Sequence, residues 1–170
     1  MNFKFFSDTD NFAFRLDEPS NCSVCSKVGL WFDAEMYAGA NEIKCICDSC
    51  LSSGGLIQLG IEPNDSIDNG TEDFKTIIYK TPSLPSWQDI QWPLINGSYP
   101  VFERIASKED FVSKEEFIDS FIASGDKNTD LDWLWGLLPD KKLASYKGAS
   151  DISVYLFRLE EHKYWLWDSN

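Results

Sequence analysis

The sequence predicts an α+β fold in which a small amino-terminal lobe, residues 1–60, packs on a mixed α/β remainder, residues 61–170, as one compact unit. Three observations lead there. All five cysteines fall between Cys22 and Cys50, the pattern of a lobe stapled together rather than held by its own apolar area. Two amphipathic helical stretches follow in the second half. The carboxy-terminal twenty residues then alternate apolar and polar side chains about a charged turn.

The chain length of 170 residues suits one ordinary domain, and 43% hydrophobic residues with 7 Trp, 6 Tyr and 12 Phe supply enough apolar surface to offset the entropy of folding. Disorder is excluded on composition. Fifteen Lys and Arg against 28 Asp and Glu leave a formal charge of −13, spread along the chain rather than held in a tail. Such a surface repels polyanions, so nucleic acid is not expected as a direct partner, whereas a basic protein is attracted. Solubility alone also accounts for an acidic surface. No window approaches the ~20 apolar residues of a spanning helix, so no membrane association is expected. The opening MNFKFFSDTD meets two Asp before any leader-like apolar run, which predicts a cytoplasmic chain. In a reducing compartment, clustered cysteines are metal ligands or redox groups before they are disulfides.

Cys22 and Cys25 form one C-x-x-C pair and Cys47 and Cys50 a second, with 21 residues between them. Each such turn offers two sulfurs on one side of an ion, and four thiolates complete the tetrahedral shell of Zn²⁺. A closed shell has no open position for water, so the zinc is expected to be structural and the lobe zinc-ribbon-like, with a strand pair formed from the intervening VGLWFDAEMYAGANEIKC. An iron–sulfur cluster fits the same four ligands, and a thioredoxin-like redox pair needs only two of them. Buried cysteines that merely pack are the metal-free alternative. Cys45 falls outside the x-x spacing and is left out of the predicted shell.

Beyond the lobe, IEPNDSIDNGTEDF is rich in turn formers and reads as an exposed connection. In KTPSLPSWQDIQW the prolines and Ser86 suggest a short helix capped by Ser86 with Asp89 completing the capping box. Ser113 followed by Glu116, then Phe117, Ile118, Phe121 and Ile122, predicts an amphipathic helix stopping at Gly125. DLDWLWGLLPD predicts a second helix with Leu131, Leu134, Trp135 and Leu138 on one side and Pro139 at its end. DISVYLFRLEEHKYWLWDSN alternates apolar and polar residues around Glu160-Glu161-His162-Lys163 and reads as a hairpin. No catalytic constellation is visible. His162, the only histidine, sits in the polar turn, and neither a nucleophile elbow nor a Gly-rich phosphate loop is present.

The stretches CSVC, MYAGANEIKCICDSCLSSGG, KTPSLPSWQDIQW and VYLFRLEEHKYWLWD, in that order, resemble the CbrC family of bacterial proteins associated with tolerance to a colicin. The Thr-Pro-x-x-x-x-Trp-Gln element is the most specific of them. The resemblance implies that Cys22, Cys25, Cys47 and Cys50 are zinc ligands. The family usually has Cys-Pro-Trp-Cys where this chain has Cys47-Asp48-Ser49-Cys50, and often a further Cys-x-x-Cys where this chain has Leu159-Glu160-Glu161-His162. Colicin tolerance joined to an acidic, aromatic-rich chain leads to the expectation of an immunity-type protein that binds a basic bacterial toxin, colicin-like or contact-dependent. The alternatives are an intracellular zinc-binding stress or tolerance protein with another protein partner, and a metal-dependent enzyme. Trp87, Trp92, Trp133 and Trp135 are the candidate contact residues, unless they lie in the core.

Overall fold

The two longest strands of the molecule are its last two, and they divide its core. The computed structural model describes residues 3–9, 14–86, 88, 90–122, 129–143 and 151–169. In chain order its elements are β1 (Ser20–Asn21), β2 (Val28–Gly29), β3 (Phe32–Asp33), β4 (Ala38–Gly39), β5 (Cys45–Ile46), α1 (Asp48–Ser52), β6 (Ile61–Glu62), β7 (Asp65–Ser66), α2 (Glu72–Lys80), β8 (Gln91–Trp92), β9 (Val101–Ile105), α3 (Lys114–Asp119), α4 (Leu131–Leu137), β10 (Ile152–Leu159) and β11 (His162–Ser169). Helix and strand are mixed, in accord with the predicted class.

β10 and β11 form the expected hairpin, in register from Ile152 with Ser169 to Leu159 with His162. Glu160 turns the chain at φ 55°. β9 adds antiparallel to β10, giving the order β11-β10-β9. Side chains alternate across a strand, and here both faces are buried. Tyr155 and Phe157 enter one apolar cluster with Phe6, Trp92 and Phe102, which also takes in Cys22, Leu51 and Ile77. Val154 and Leu156 enter the other with Phe117, Leu134 and Trp165. One face therefore carries the cysteine-bearing turns and α2, and the opposite face carries α3 and α4. The two edges of the sheet are covered as well: Phe6 bridges to Phe102 beside β9, and Phe121 bridges to Trp165 beside β11.

α4 forms as predicted. The Asp130 carboxylate accepts the Trp133 N–H at 3.0 Å, and Leu134 and Leu138 are buried. α3 starts at the predicted cap, where the Ser113 hydroxyl accepts the Glu116 N–H at 3.3 Å. The Glu116 carboxylate reaches one residue further back than a capping box requires, to the Val112 N–H. The helix ends at Asp119 rather than running toward Gly125, which lies outside the described residues. The cause is competition from β11: Trp165 donates its N–H to Ser120 O at 3.0 Å and accepts that of Ile122 at 2.8 Å, pulling the chain out of the helix into the edge of the sheet.

Two further expectations are corrected. Described residues from 84 to 92 hold no helix. The Ser86 hydroxyl accepts the Gln88 N–H at 3.0 Å within a tight bend, and Gln91–Trp92 pair in parallel with Asp65–Ser66. Asp89 and Trp87 lie outside the described residues. The stretch read as an exposed connection is partly built in. Ile61, Pro63 and Ser66 are buried, β6 pairs with β4, and α2 follows at once. Asn64 locks this turn, its amide reaching the carbonyls of Ile77, Thr81 and Pro82 at 3.1 Å each and its Oδ1 accepting the Leu84 N–H at 3.2 Å.

Candidate metal centre

Two turns present the thiols. The first is the tip of the β1–β2 hairpin, closed by Cys22 N–H to Lys27 O and Ser26 N–H to Cys22 O, both 2.8 Å. Ser26 adopts φ 60°, a left-handed conformation that lets the chain double back so soon after Cys25. The second turn lies where β5 runs into α1. Cys47 is the residue capping α1, its sulfur accepting the Cys50 N–H at 3.4 Å, so Cys47 and Cys50 sit one helical turn apart.

The pairing of β3 with β5, the strand pair expected between the cysteine motifs, sets the second turn in place. Ser23 then docks the first turn onto it: its N–H donates to Cys45 O at 3.0 Å and its hydroxyl accepts the Lys44 and Cys45 N–H groups at 3.3 and 3.4 Å. The Cys47 N–H crosses directly to the Cys22 sulfur at 3.3 Å. Arg15 holds the arrangement from outside. It makes a forked contact with Asp48, at 2.7 and 3.4 Å, donates to Thr9 O at 3.0 Å and Leu30 O at 2.9 Å, and lies 4.2 Å from the centre of the Phe32 ring.

The result brings together the four predicted ligands. The sulfurs of Cys22, Cys25, Cys47 and Cys50 all lie within 4.8 Å of one another. Cys25 and Cys47 are 3.7 Å apart, sulfur to sulfur, and all five cysteines are free. A disulfide needs about 2.05 Å, whereas tetrahedral ligands at about 2.3 Å from a shared ion stand about 3.8 Å apart. The donor set therefore fits a metal ion and not a pair of disulfides. An ion held by these four sulfurs would cross-link the hairpin tip to the start of α1.

The electrostatics agree with the geometry. Burial pushes the Cys22 thiol up, but the N–H groups of Cys25, Cys47 and Val24 outweigh it and bring it down to about 7. Burial first, then the neighbouring sulfurs, pushes Cys50 up, and burial likewise raises Cys47. Several thiolates in so small a volume oppose one another's ionisation, and a bound cation removes that opposition. Cys22 and Cys47 are buried, Cys50 is half-buried and Cys25 faces solvent.

Cys45 stands apart, as its spacing suggests. It is buried, burial holds its thiol above the ordinary value, and it donates to Asn21 O at 3.2 Å. Arg15, Ser23 and Asp48 were not legible as members of this centre. Asp48 carries a weak signal, as an acidic first-turn residue between two cysteines; a lone arginine 33 residues upstream carries none. Of the other candidates, Trp92 is a core residue, 1% exposed, with its indole N–H on Pro100 O at 3.0 Å. Trp135 packs among Phe111 and Phe117. Trp133 is 50% exposed, edge-on to Trp167. His162 is exposed and opens β11 opposite Leu159, just past the turn in which the sequence placed it.

The family model of UPF0167, an uncharacterised protein family, matches residues 1–167. The chain belongs to that family. The match takes in the four-cysteine cluster and nearly all of both closing strands. No curated protein and no solved structure matches the chain. No described helix is long and apolar enough to cross a membrane.

Proposed function

We propose that this chain is a zinc-stapled, cytoplasmic immunity-type protein that binds and occludes a basic bacterial toxin. The observation that carries the reading is Trp133, half-exposed on α4 of a chain with a formal charge of −13. A large aromatic left in solvent on an acidic protein suits a contact anchored by the ring and steered by charge. Leu137, one helical turn along, is 46% exposed and extends the same stripe. Four thiolates fill a tetrahedral shell, which favours zinc in a structural role and leaves the work of the protein to its surface. The resemblance to the CbrC family, with its link to colicin tolerance, favours the same reading and is consistent with membership of UPF0167.

The test is binding to a panel of basic toxin domains, nucleases first, together with growth protection on co-expression. Nanomolar binding that weakens steeply between 50 and 500 mM salt is the expected result. Trp133→Ala is expected to weaken binding about tenfold or more while leaving the fold intact. Absence of binding across the panel, or binding indifferent to both salt and Trp133, sinks the proposal. A stress or tolerance protein with a different partner then takes its place.

A further inference from the structure

Beside the four-cysteine cluster, two stretches of chain meet at the surface. Val24, at the tip of the β1–β2 hairpin, lies against the Gly54–Gly55 turn that follows α1: a Cβ on Gly55 would stand 3.4 Å from Val24 Cγ1. On the other side of the turn, a Cβ on Gly54 would stand 2.9 Å from Ile57 Cδ1 and 3.0 Å from Lys80 Cε. The two glycines are thus the bare floor of a shallow groove, walled by Val24 on one side and by Ile57 with the Lys80 stem on the other. The floor has to be bare: Gly54 sits at φ 82°, and a Cβ on Gly55 would press on Cys50 O at 2.9 Å. Val24 and Ile57 are exposed, and Val28 and Leu30, exposed as well, extend the apolar surface along the hairpin.

Charge sets this face apart from the rest of the molecule. The chain has 28 Asp and Glu in 170 residues, yet residues 19–32, 49–61 and 74–88, which include the hairpin, the glycine turn and most of α2, contain none. Asp48, beside the cluster, is engaged by Arg15.

A second observation concerns the cations. Among the described residues, nine Lys and Arg form ion pairs and four form none: Lys27, Lys44, Lys80 and Lys141. Three of those four gather at the groove. Lys80 stands in its wall, Lys27 follows Cys25 by two residues on the hairpin, and the Lys44 N–H is held by the hydroxyl of Ser23, the neighbour of Val24. A divalent ion on the four thiolates would carry two negative charges, one fewer than these three lysines offset. On so acidic a protein, lysines left without carboxylates at one place fit a surface that receives carboxylates from outside.

We propose that this groove docks an acidic segment of a protein partner, its apolar side chains seated over Gly54 and Gly55 between Val24 and Ile57 and its carboxylates on Lys27 and Lys80. The cysteine-bearing turns and α2 lie across the sheet from α4, so this contact and the toxin contact use different faces and neither rests on the other. The acidic remainder of the chain opposes such a segment only weakly at physiological salt, where screening acts within about 8 Å and leaves the nearby lysines in control.

The experiment is fluorescence anisotropy of the full chain against a labelled amphipathic peptide of leucine, phenylalanine, aspartate and glutamate, and against a second peptide in which asparagine and glutamine replace the acids. Saturable binding of the acidic peptide, about tenfold or more tighter than that of the neutral one and weaker at higher salt, is expected. Lys27→Gln/Lys80→Gln is expected to weaken it about tenfold, the scale of two exposed ion pairs, and Ile57→Ser a few-fold, with melting temperature and metal content unchanged. Lys141→Gln, at the unpaired lysine beyond α4, is expected to change nothing. No binding of the acidic peptide, equal binding of the neutral one, indifference to the double variant or an equal loss in Lys141→Gln overturns the proposal. So does a single-stranded oligonucleotide that binds more tightly than the peptide through Lys27 and Lys80, since the face then reads phosphate, or a dimer in sedimentation that the double variant abolishes, since a second copy then fills the groove.

Discussion

Arg15→Ala is the sharpest test of how the four-cysteine cluster is held. The guanidinium satisfies two backbone carbonyls and a carboxylate at 2.7–3.4 Å and covers the face of Phe32. Both ion-pair side chains are only about one-fifth exposed, at 20% and 21%, so water replaces the lost partners poorly. Truncating one member of such a pair costs about 2–5 kcal/mol, and the ring contact adds about 0.5–1 kcal/mol. Partial exposure argues for the lower part of the range, about 3 kcal/mol. In a chain of 170 residues, that lowers Tm by about 6–12 °C. Because Asp48 directly follows Cys47 at the start of α1, metal affinity is expected to fall too, read by competition with a chromogenic chelator. Arg15→Lys is expected to restore little, since an ammonium cannot reproduce the fork. Differential scanning calorimetry of the wild type, Arg15→Ala, Asp48→Asn and the double variant closes the cycle, and the two single changes are expected to be strongly non-additive. A melting temperature for Arg15→Ala within 2 °C of wild type, or full recovery with lysine, refutes the clamp.

Three other outcomes follow from the same structure. Protein purified without added metal is expected to carry about one zinc per chain, lost in Cys47→Ser and retained in Cys45→Ala; equal stoichiometry in all three removes the assigned shell. Phe157, fully buried at 5.6 Å from both Trp92 and Phe102, is expected to cost about 3–5 kcal/mol on truncation to alanine, whereas Trp133→Ala stays within about 1 kcal/mol in chemical denaturation, and similar losses for both would contradict their different burial. Burial raises the Glu116 carboxyl, but the Val112 N–H and Lys163 outweigh it and leave its pKa below the ordinary value. Its contribution is therefore present at neutral pH and lost as pH falls through that lowered pKa. Glu116→Gln is expected to cost about 1 kcal/mol at pH 7 and nothing in strong acid, and a penalty independent of pH in urea melts argues against the assignment.

Features whose causes are local were legible in the chain. Two C-x-x-C turns announce themselves because each sulfur pair is set by the geometry of a few consecutive residues, and the structure brings together all four at one point. The closing hairpin was equally plain from its alternation, as was α4 from the Asp130 cap and the spacing of its leucines. α2 is hidden in the sequence although Phe74, Ile77 and Ile78 share helical spacing, because the Asn- and Gly-rich run before it resembles an open connection.

The sequence by itself determined the mixed class, the acidic surface and the identity of the four clustered thiols, because composition and short-range spacing carry that information. Tertiary structure alone decided which aromatic residues face solvent, where the helix at Lys114 stops and what walls the groove over Gly54 and Gly55. Each of these depends on groups far apart in the chain: Trp165 capturing Ser120 and Ile122, Arg15 reaching Asp48, Val24 lying against Gly55. Long-range contacts of this kind are settled by packing after local preferences have been expressed, and no window of consecutive residues records them.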